Sequence, residues 1–566
     1  MNLLTKARLL LHIAHWRLTW DRKDLDYQDK SLRNPKFITS RQAARLIPDG
    51  ATVVSSGMAG NTRCSNFFWA IREEFEKCGH PCDLTWITVG AQGSRGKVPG
   101  TLEELEYPGL ITRYIGGHIE TVKSLLKLAD QGHLELHALP QGVETFLFEA
   151  QARGERTLRT PIGLNTFLDP RVGRGSPVLP GAKDNFVKAA GDELEYHLPP
   201  VDVALFLVPA ADREGNLYIK NVNMFTEALE SALAAHRNGG KVIASVAEII
   251  DKDEREIFLP AEVVDHVVLN PLGEQTGSIP QKKYWPMFTV SGKVNTQDAV
   301  EKLKFVNTVL GITPYRGPAE NALARLAASL FTHVVHPGAV VNIGVGLPEE
   351  VCRLVYEGGL SNDVTFLTET GVLGGLPTPG IFFGAAINPE QIMSSAQIFH
   401  YCMENLDLTC LGLLQADEEG NVNVSKRGEG AINYVGAGGF PDLVYAAKNI
   451  IFIGTWMAHG KIAIENGRLR IQKRGTPKFV KKVDEVTLHG PTALKLGKNI
   501  YYVTNVGVFQ LTKRGLELIK VMPGIDIQKD ILDFAPCRVH LPHDGRVPLV
   551  EDSIVTGRGF RLEWPK

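Results

Sequence analysis

The strongest candidate for chemistry in this 566-residue chain is a carboxylate where a strand gives way to a glycine-rich loop. The stretch is LTETGVLGG, Leu367–Gly375, and the carboxylate is Glu369. Before it, Val364, Phe366 and Leu367 read as a short buried strand. After it, Gly371, Gly374, Gly375, Pro377, Pro379 and Gly380 can continue neither a strand nor a helix, so a loop follows. In open α/β sheets, sites form at the carboxyl ends of strands. Small neighbours such as Gly371 leave room there for a bulky substrate. A glutamate at its ordinary pKa is ionised at neutral pH and can attack an acyl carbon without a separate base. The plain alternative is a surface glutamate beside a turn.

Four further stretches accompany it. Gly344-Val-Gly346 ends the strand Ala339–Ile343 and leads into a helix, where bare backbone can approach an anionic ligand. Gly436-Ala-Gly438-Gly439-Phe440 can turn successive N–H groups toward a developing oxyanion. GAAINPE carries Asn388, and NVNVSK carries Asn423 and Lys426. Taken alone, each reads first as a tight turn or a solvated polar residue. Other chemistries find less support. Glu349 stands where a dinucleotide fingerprint needs a third glycine, and no Gly-Lys-Ser/Thr follows. No G-x-S-x-G elbow is present. The sixteen histidines show no metal spacing. Cys78-x3-Cys82 with His80 between lacks a second ligand pair, so no metal is expected.

The elements that position these residues occur twice. DGATVVSSGMAG near residue 49 matches PGAVVNIGVG near 337. DLTWITVGAQG from Asp83 matches DVTFLTETGVLGG from Asp363, which aligns Val89 with Glu369, so only the second copy carries the carboxylate. DVALFLVPAADREGN from Asp202 matches DLTCLGLLQADEEGN from Asp407, both ending in Gly-Asn turn chemistry. Strands alternate with helical patterns, which favours mainly parallel sheets. The expected architecture is two homologous open-sheet α/β domains in tandem. The first spans 36–305 with an insertion at 99–200, and the second spans 306–566 and holds Glu369. An amphipathic extension, 1–35, precedes them.

Composition fits a multidomain globular chain: 44% hydrophobic, 22% charged. The net charge of −2 gives no global attraction to nucleic acid or anionic membrane. Seven thinly spread cysteines imply free thiols in a reducing compartment, hence a cytoplasmic location. No transmembrane run is present. In MNLLTKARLLLHIAHWRLTW, Leu9, Ile13, Trp16 and Trp20 make one helical stripe. His12 and His15 interrupt the apolar run, which argues against a signal peptide. A helix packed on the body or a partner subunit is expected, with a membrane-surface anchor or targeting segment as alternatives.

From about Phe37 to His543 the sequence resembles a family I CoA-transferase, of the single-chain acetate/propionate type with fused α- and β-like halves. The resemblance is carried by IPDGATVVSSGMAGNTR, YIGGH, LPQGVETFLFEA, TPIGLNTFLDPRVGRG, VNIGVGLPEEV, TETGVLGGLPTPG, FGAAINPE, LGLLQADEEGNVNVSK, GAGGF and MPGIDIQKDIL, in order. Thr370 departs from the Ser, Pro or Asn usual there, and the first 35 residues lie outside the pattern. The resemblance implies the fold of sugar-phosphate isomerases in each half and Glu369 as nucleophile. It implies CoA contacts at Gly344, Gly346, Gly436, Asn388 and Lys426, and an oxyanion site at Gly438 and Gly439. Asn61 or Arg63 is expected to receive the carboxylate substrate, with an ordinary loop role as the alternative, and Gly371 is expected at the substrate pocket. The substrates would be a short-chain acyl-CoA and a carboxylic acid, with no permanently bound cofactor, in a homodimer or tetramer. The expected reaction is ping-pong transfer through a glutamyl-CoA thioester. An acyl-CoA hydrolase on the same scaffold and a non-catalytic acyl-CoA-binding subunit are the alternatives.

Overall fold

The computed structural model describes residues 1–94 and 98–565. Two nine-stranded sheets organise the chain. In the first, parallel strands follow the order Phe37–Ile38, His266–Leu269, Lys241–Ile249, Val203–Ala211, Thr52–Ser55, Leu84–Thr88, Ile111–Gly116, Glu135–Ala138. Leu217–Tyr218 pairs antiparallel beside Val203–Ala211. The second sheet has a parallel centre: Thr365–Leu367, Val340–Ile343, Leu408–Gly412, Asn449–Ile453 and Asn499–Val503. Antiparallel strands extend both of its edges.

The repeat seen in the sequence is a repeat of topology. Val203–Ala211, Thr52–Ser55 and Leu84–Thr88 lie side by side, as do Leu408–Gly412, Val340–Ile343 and Thr365–Leu367. The supporting bonds repeat too. Asp202 accepts from the Thr52 N–H at 2.8 Å, and Asp407 accepts from the Val340 N–H at 3.0 Å. The two Asp-x-x-Gly-Asn turns close alike, with Asn216 Nδ2 on Asp212 at 2.7 Å and Asn421 Nδ2 on Asp417 at 3.1 Å. Val203–Ala211 is buried along its whole length, which is why it reads as one apolar run.

The 99–200 segment does two things. Its strands Ile111–Gly116 and Glu135–Ala138 widen the first sheet, and 157–197 form a separate three-stranded antiparallel sheet. Each domain has its own core, yet the cores trade segments. Ala431, Tyr434 and Ala437 of the glycine-turn region pack into the first core. Met58, Met224, Phe288 and Leu303 pack into the second. The N-terminal helix Leu3–Thr19 buries Leu9 and Ile13 in that second core.

Candidate active site

Glu369 leaves the carboxyl end of strand Thr365–Leu367. Thr368 and Thr370 point to one side, as alternate residues of extended chain do. Their hydroxyls both donate to the Gly384 carbonyl, at 3.0 and 2.6 Å. Glu369 points the other way. Gly371 turns the chain at φ 102°, and a Cβ there would lie 2.0 Å from the Met393 carbonyl, so only glycine fits.

Across from Glu369 stands Gly439. A Cβ on Gly439 would lie 3.2 Å from Glu369 Cγ, 3.1 Å from Phe399 Cζ and 3.2 Å from Gln141 Oε1. Glu369, the glycine turn and a first-domain glutamine therefore converge. Gln141 is held in turn by its Nε2, which donates to the Val89 carbonyl at 3.0 Å. Val89 is the residue that aligns with Glu369 in the first copy.

The glycine turn is fastened to the first domain by its backbone. Gly438 N–H donates to Gly117 O at 2.9 Å, and Gln141 N–H donates to Gly438 O at 3.1 Å. The N–H groups of Ile119 and Glu120 both reach Val435 O, at 2.9 and 3.1 Å. A Cβ on Gly436 would lie 2.4 Å from Gly117 O. Of the two expected oxyanion donors, Gly438 is thus already bonded. The Gly439 N–H has no acceptor among the described residues.

The electrostatics differ from the sequence expectation in one respect. Glu369 keeps a partly exposed edge, but the atoms walling it push its pKa up to about 7, opposed by the Asn342 amide, which favours the charged form. Near neutral pH this carboxyl therefore holds its proton more readily than an exposed glutamate does. Asn342 is oriented by Thr409, whose hydroxyl donates to Asn342 Oδ1 at 3.0 Å. Nearby, buried Asp442 accepts from the Gly142 and Val143 N–H groups at 3.0 and 3.1 Å, capping a first-domain helix from the second domain. Burial pushes the Asp442 carboxyl up to about 8, and the charge of Glu369 adds to that.

The other expected residues are placed as follows. Gly344 and Gly346 end the strand next to that of Glu369, at the same edge of the sheet. The Gly344 N–H is bonded to Cys410 O at 2.8 Å, while Gly346 has open space around it at φ 94°. Asn388 uses its amide on Val294, accepting from its N–H and donating to its carbonyl, both at 2.9 Å. Asn61 is fully buried and donates to Phe383 O at 2.9 Å while accepting from Asn223 at 2.9 Å. Arg63 lies 3.4 Å from Glu274. Lys426 pairs with Glu429 at 2.8 Å and lines an open cleft of about 840 Å³ with Asn165, Arg174, Tyr434 and Glu485. His80 and Cys82 gather with Asp49, their donor atoms within 4.8 Å, but Asp49 already takes the His80 ring nitrogen at 2.6 Å and the Cys82 N–H at 2.9 Å. Sequence reasoning missed Gln141, Asn342, Phe399 and Asp442 as neighbours of Glu369. Gln141 and Asp442 stand inside or next to motifs it quoted, LPQGVETFLFEA and GAGGF.

A carboxylate set against bare backbone, where two duplicated domains meet, is suited to acyl chemistry on a ligand reaching across both. Comparison with known proteins agrees: the chain belongs to the CoA-transferases. It is 33% identical over 508 residues to the caffeate CoA-transferase of Acetobacterium woodii, covering 88% of this chain and 93% of that protein. It is 30% identical over 511 residues to acetate CoA-transferase YdiF of Escherichia coli K12, covering 88% and 91%. The solved thioester complex of acyl-CoA transferase YdiF from Escherichia coli O157:H7 with CoA matches at TM-score 0.80 and 27% identity, over 93% of this chain and 97% of that one. No family model matches the chain.

Proposed function

We propose that the protein transfers CoA from a short-chain acyl-CoA to a carboxylic acid by a ping-pong route through Glu369. The packing of Glu369 against Gly439, with Gln141 of the first domain beside them, carries this reading. The Glu369 carboxylate attacks the thioester carbonyl, forming an acyl-glutamyl anhydride and releasing CoA thiolate. The thiolate attacks the glutamyl carbonyl, giving a glutamyl-CoA thioester and the free first acid. A second carboxylate attacks that thioester, and the steps reverse. No proton is transferred in any step, so the residues needed are the ionised nucleophile and donors for the oxyanion.

Gly439 N–H is the backbone donor proposed for that oxyanion, because Gly438 N–H is occupied. Asn342 keeps Glu369 ionisable in a desolvated place. Gly346 is the proposed backbone contact for CoA, and Lys426, paired with Glu429 in the cleft it lines, is a further proposed contact. Asn61 and Asn388 are proposed to hold the 380–388 loop that receives the Thr368 and Thr370 hydroxyls.

The test is intact-protein mass after incubation with acetyl-CoA, beside Glu369→Ala. A CoA-sized adduct on the unmodified protein alone, removed by acetate, is expected. An adduct that persists on Glu369→Ala, or none with several acyl-CoAs that bind, would overturn it.

A further inference from the structure

The N-terminal helix Leu3–Thr19 is docked by one face and bare on the other. Its inner face buries Leu9 and Ile13. Trp16 donates to Glu274 at 2.9 Å, and His12 meets the Ser278 hydroxyl at 3.3 Å. On the outer face Leu4, Ala7, Leu11, Ala14 and Leu18 recur every three or four residues, so they form one stripe, with Leu3 and Leu10 beside it. Leu3, Leu4, Leu11 and Leu18 are 84, 61, 71 and 83% exposed. Single exposed leucines are ordinary, but a continuous apolar stripe marks a surface that something covers.

The charges say what covers it. At 3.6 residues per turn, Lys6 and Arg17 line one edge of the stripe and Arg8 and His15 the other. No acidic residue occurs before Asp21. Arg17 lies over the Trp16 and Trp20 rings, 5.2 and 4.5 Å from their centroids. A second copy of this helix would set like charges against both edges. An anionic lipid surface attracts Lys6, Arg8 and Arg17 while the leucines enter the acyl boundary.

We propose that Leu3–Thr19 is an interfacial anchor that binds the enzyme to bilayers containing anionic lipid. The inference is independent of the reaction at Glu369. The full-length protein would be floated with vesicles of phosphatidylcholine alone and of phosphatidylcholine mixed with phosphatidylglycerol. Flotation with the mixed vesicles only, weakened by salt, is expected. Leu4→Ser/Leu11→Ser/Leu18→Ser should abolish it while leaving helicity and transferase rate unchanged, since the inner face is untouched. Lys6→Gln/Arg8→Gln should weaken it about 25-fold, about fivefold or 1 kcal/mol per charge. Absence of flotation, or equal flotation with both vesicles, would overturn the proposal. So would a fall in sedimenting mass of the triple variant when the unmodified protein ignores vesicles, because the stripe would then join copies of the chain.

Discussion

The Gly438 N–H donates to the Gly117 carbonyl at 2.9 Å, so the glycine turn of the second domain is built partly by the first. The turn's geometry beside Glu369 therefore depends on how the two domains dock. Gln141, Asp442 and the 117–120 loop are the fasteners.

Replacing Glu369 by Gln keeps shape and removes the proposed nucleophile. Transfer should fall by ~10⁴-fold or more, as when other covalent nucleophiles are deleted. CoA binding, followed by calorimetry, should persist. Retained turnover would refute the assignment.

Gly439→Ala inserts a methyl 3.1–3.2 Å from Phe399, Gln141 and Glu369. Something must give by a few tenths of an ångström. Overpacking of this kind costs about 1–3 kcal/mol, and a displaced nucleophile costs up to about 10²-fold in kcat. Steady-state kinetics should show the loss mainly in kcat, with a modest fall in Tm.

The proposed attack needs Glu369 ionised, and burial pushes its pKa up to about 7. The profile of kcat/KM against pH should therefore rise through an acid limb near that value. Asn342→Leu removes the amide that favours the charged form, so the limb should move to higher pH. A limb that moves down or stays would remove Asn342 from this role.

Buried Asp442 and Glu227 are pushed up to about 8, and Glu230 to about 7, chiefly by desolvation. Each folded value lies above the ordinary carboxyl value of about 4. Between about pH 4 and 8 the native state thus holds protons that the unfolded chain releases. This stabilisation is present in full at the acid end and is lost as pH rises. Thermal melts should show Tm falling from pH 6 to 8.5, with a shallower fall in Glu227→Gln.

Much of this was legible in the residues. The duplicated DGATVV and PGAVVN strands, the paired Asp-x-x-Gly-Asn turns and the loop after Leu367 each depend on local backbone preference, which a short window records. The replacement of Val89 by Glu369 between the two copies singled out the carboxylate for the same reason. Only the tertiary structure decided what surrounds it. Gln141 and Gly439 lie far from Glu369 in the chain, and nothing in a strand or turn pattern tells which backbone N–H will be bonded. Packing gave the Gly438 N–H to Gly117 and left the Gly439 N–H without an acceptor among the described residues. It turned the amides of Asn61 and Asn388 to holding loops, and it raised the Glu369 pKa by stripping water from it. Residue type sets what a side chain can do; its partners and its access to water come from groups that only folding brings together.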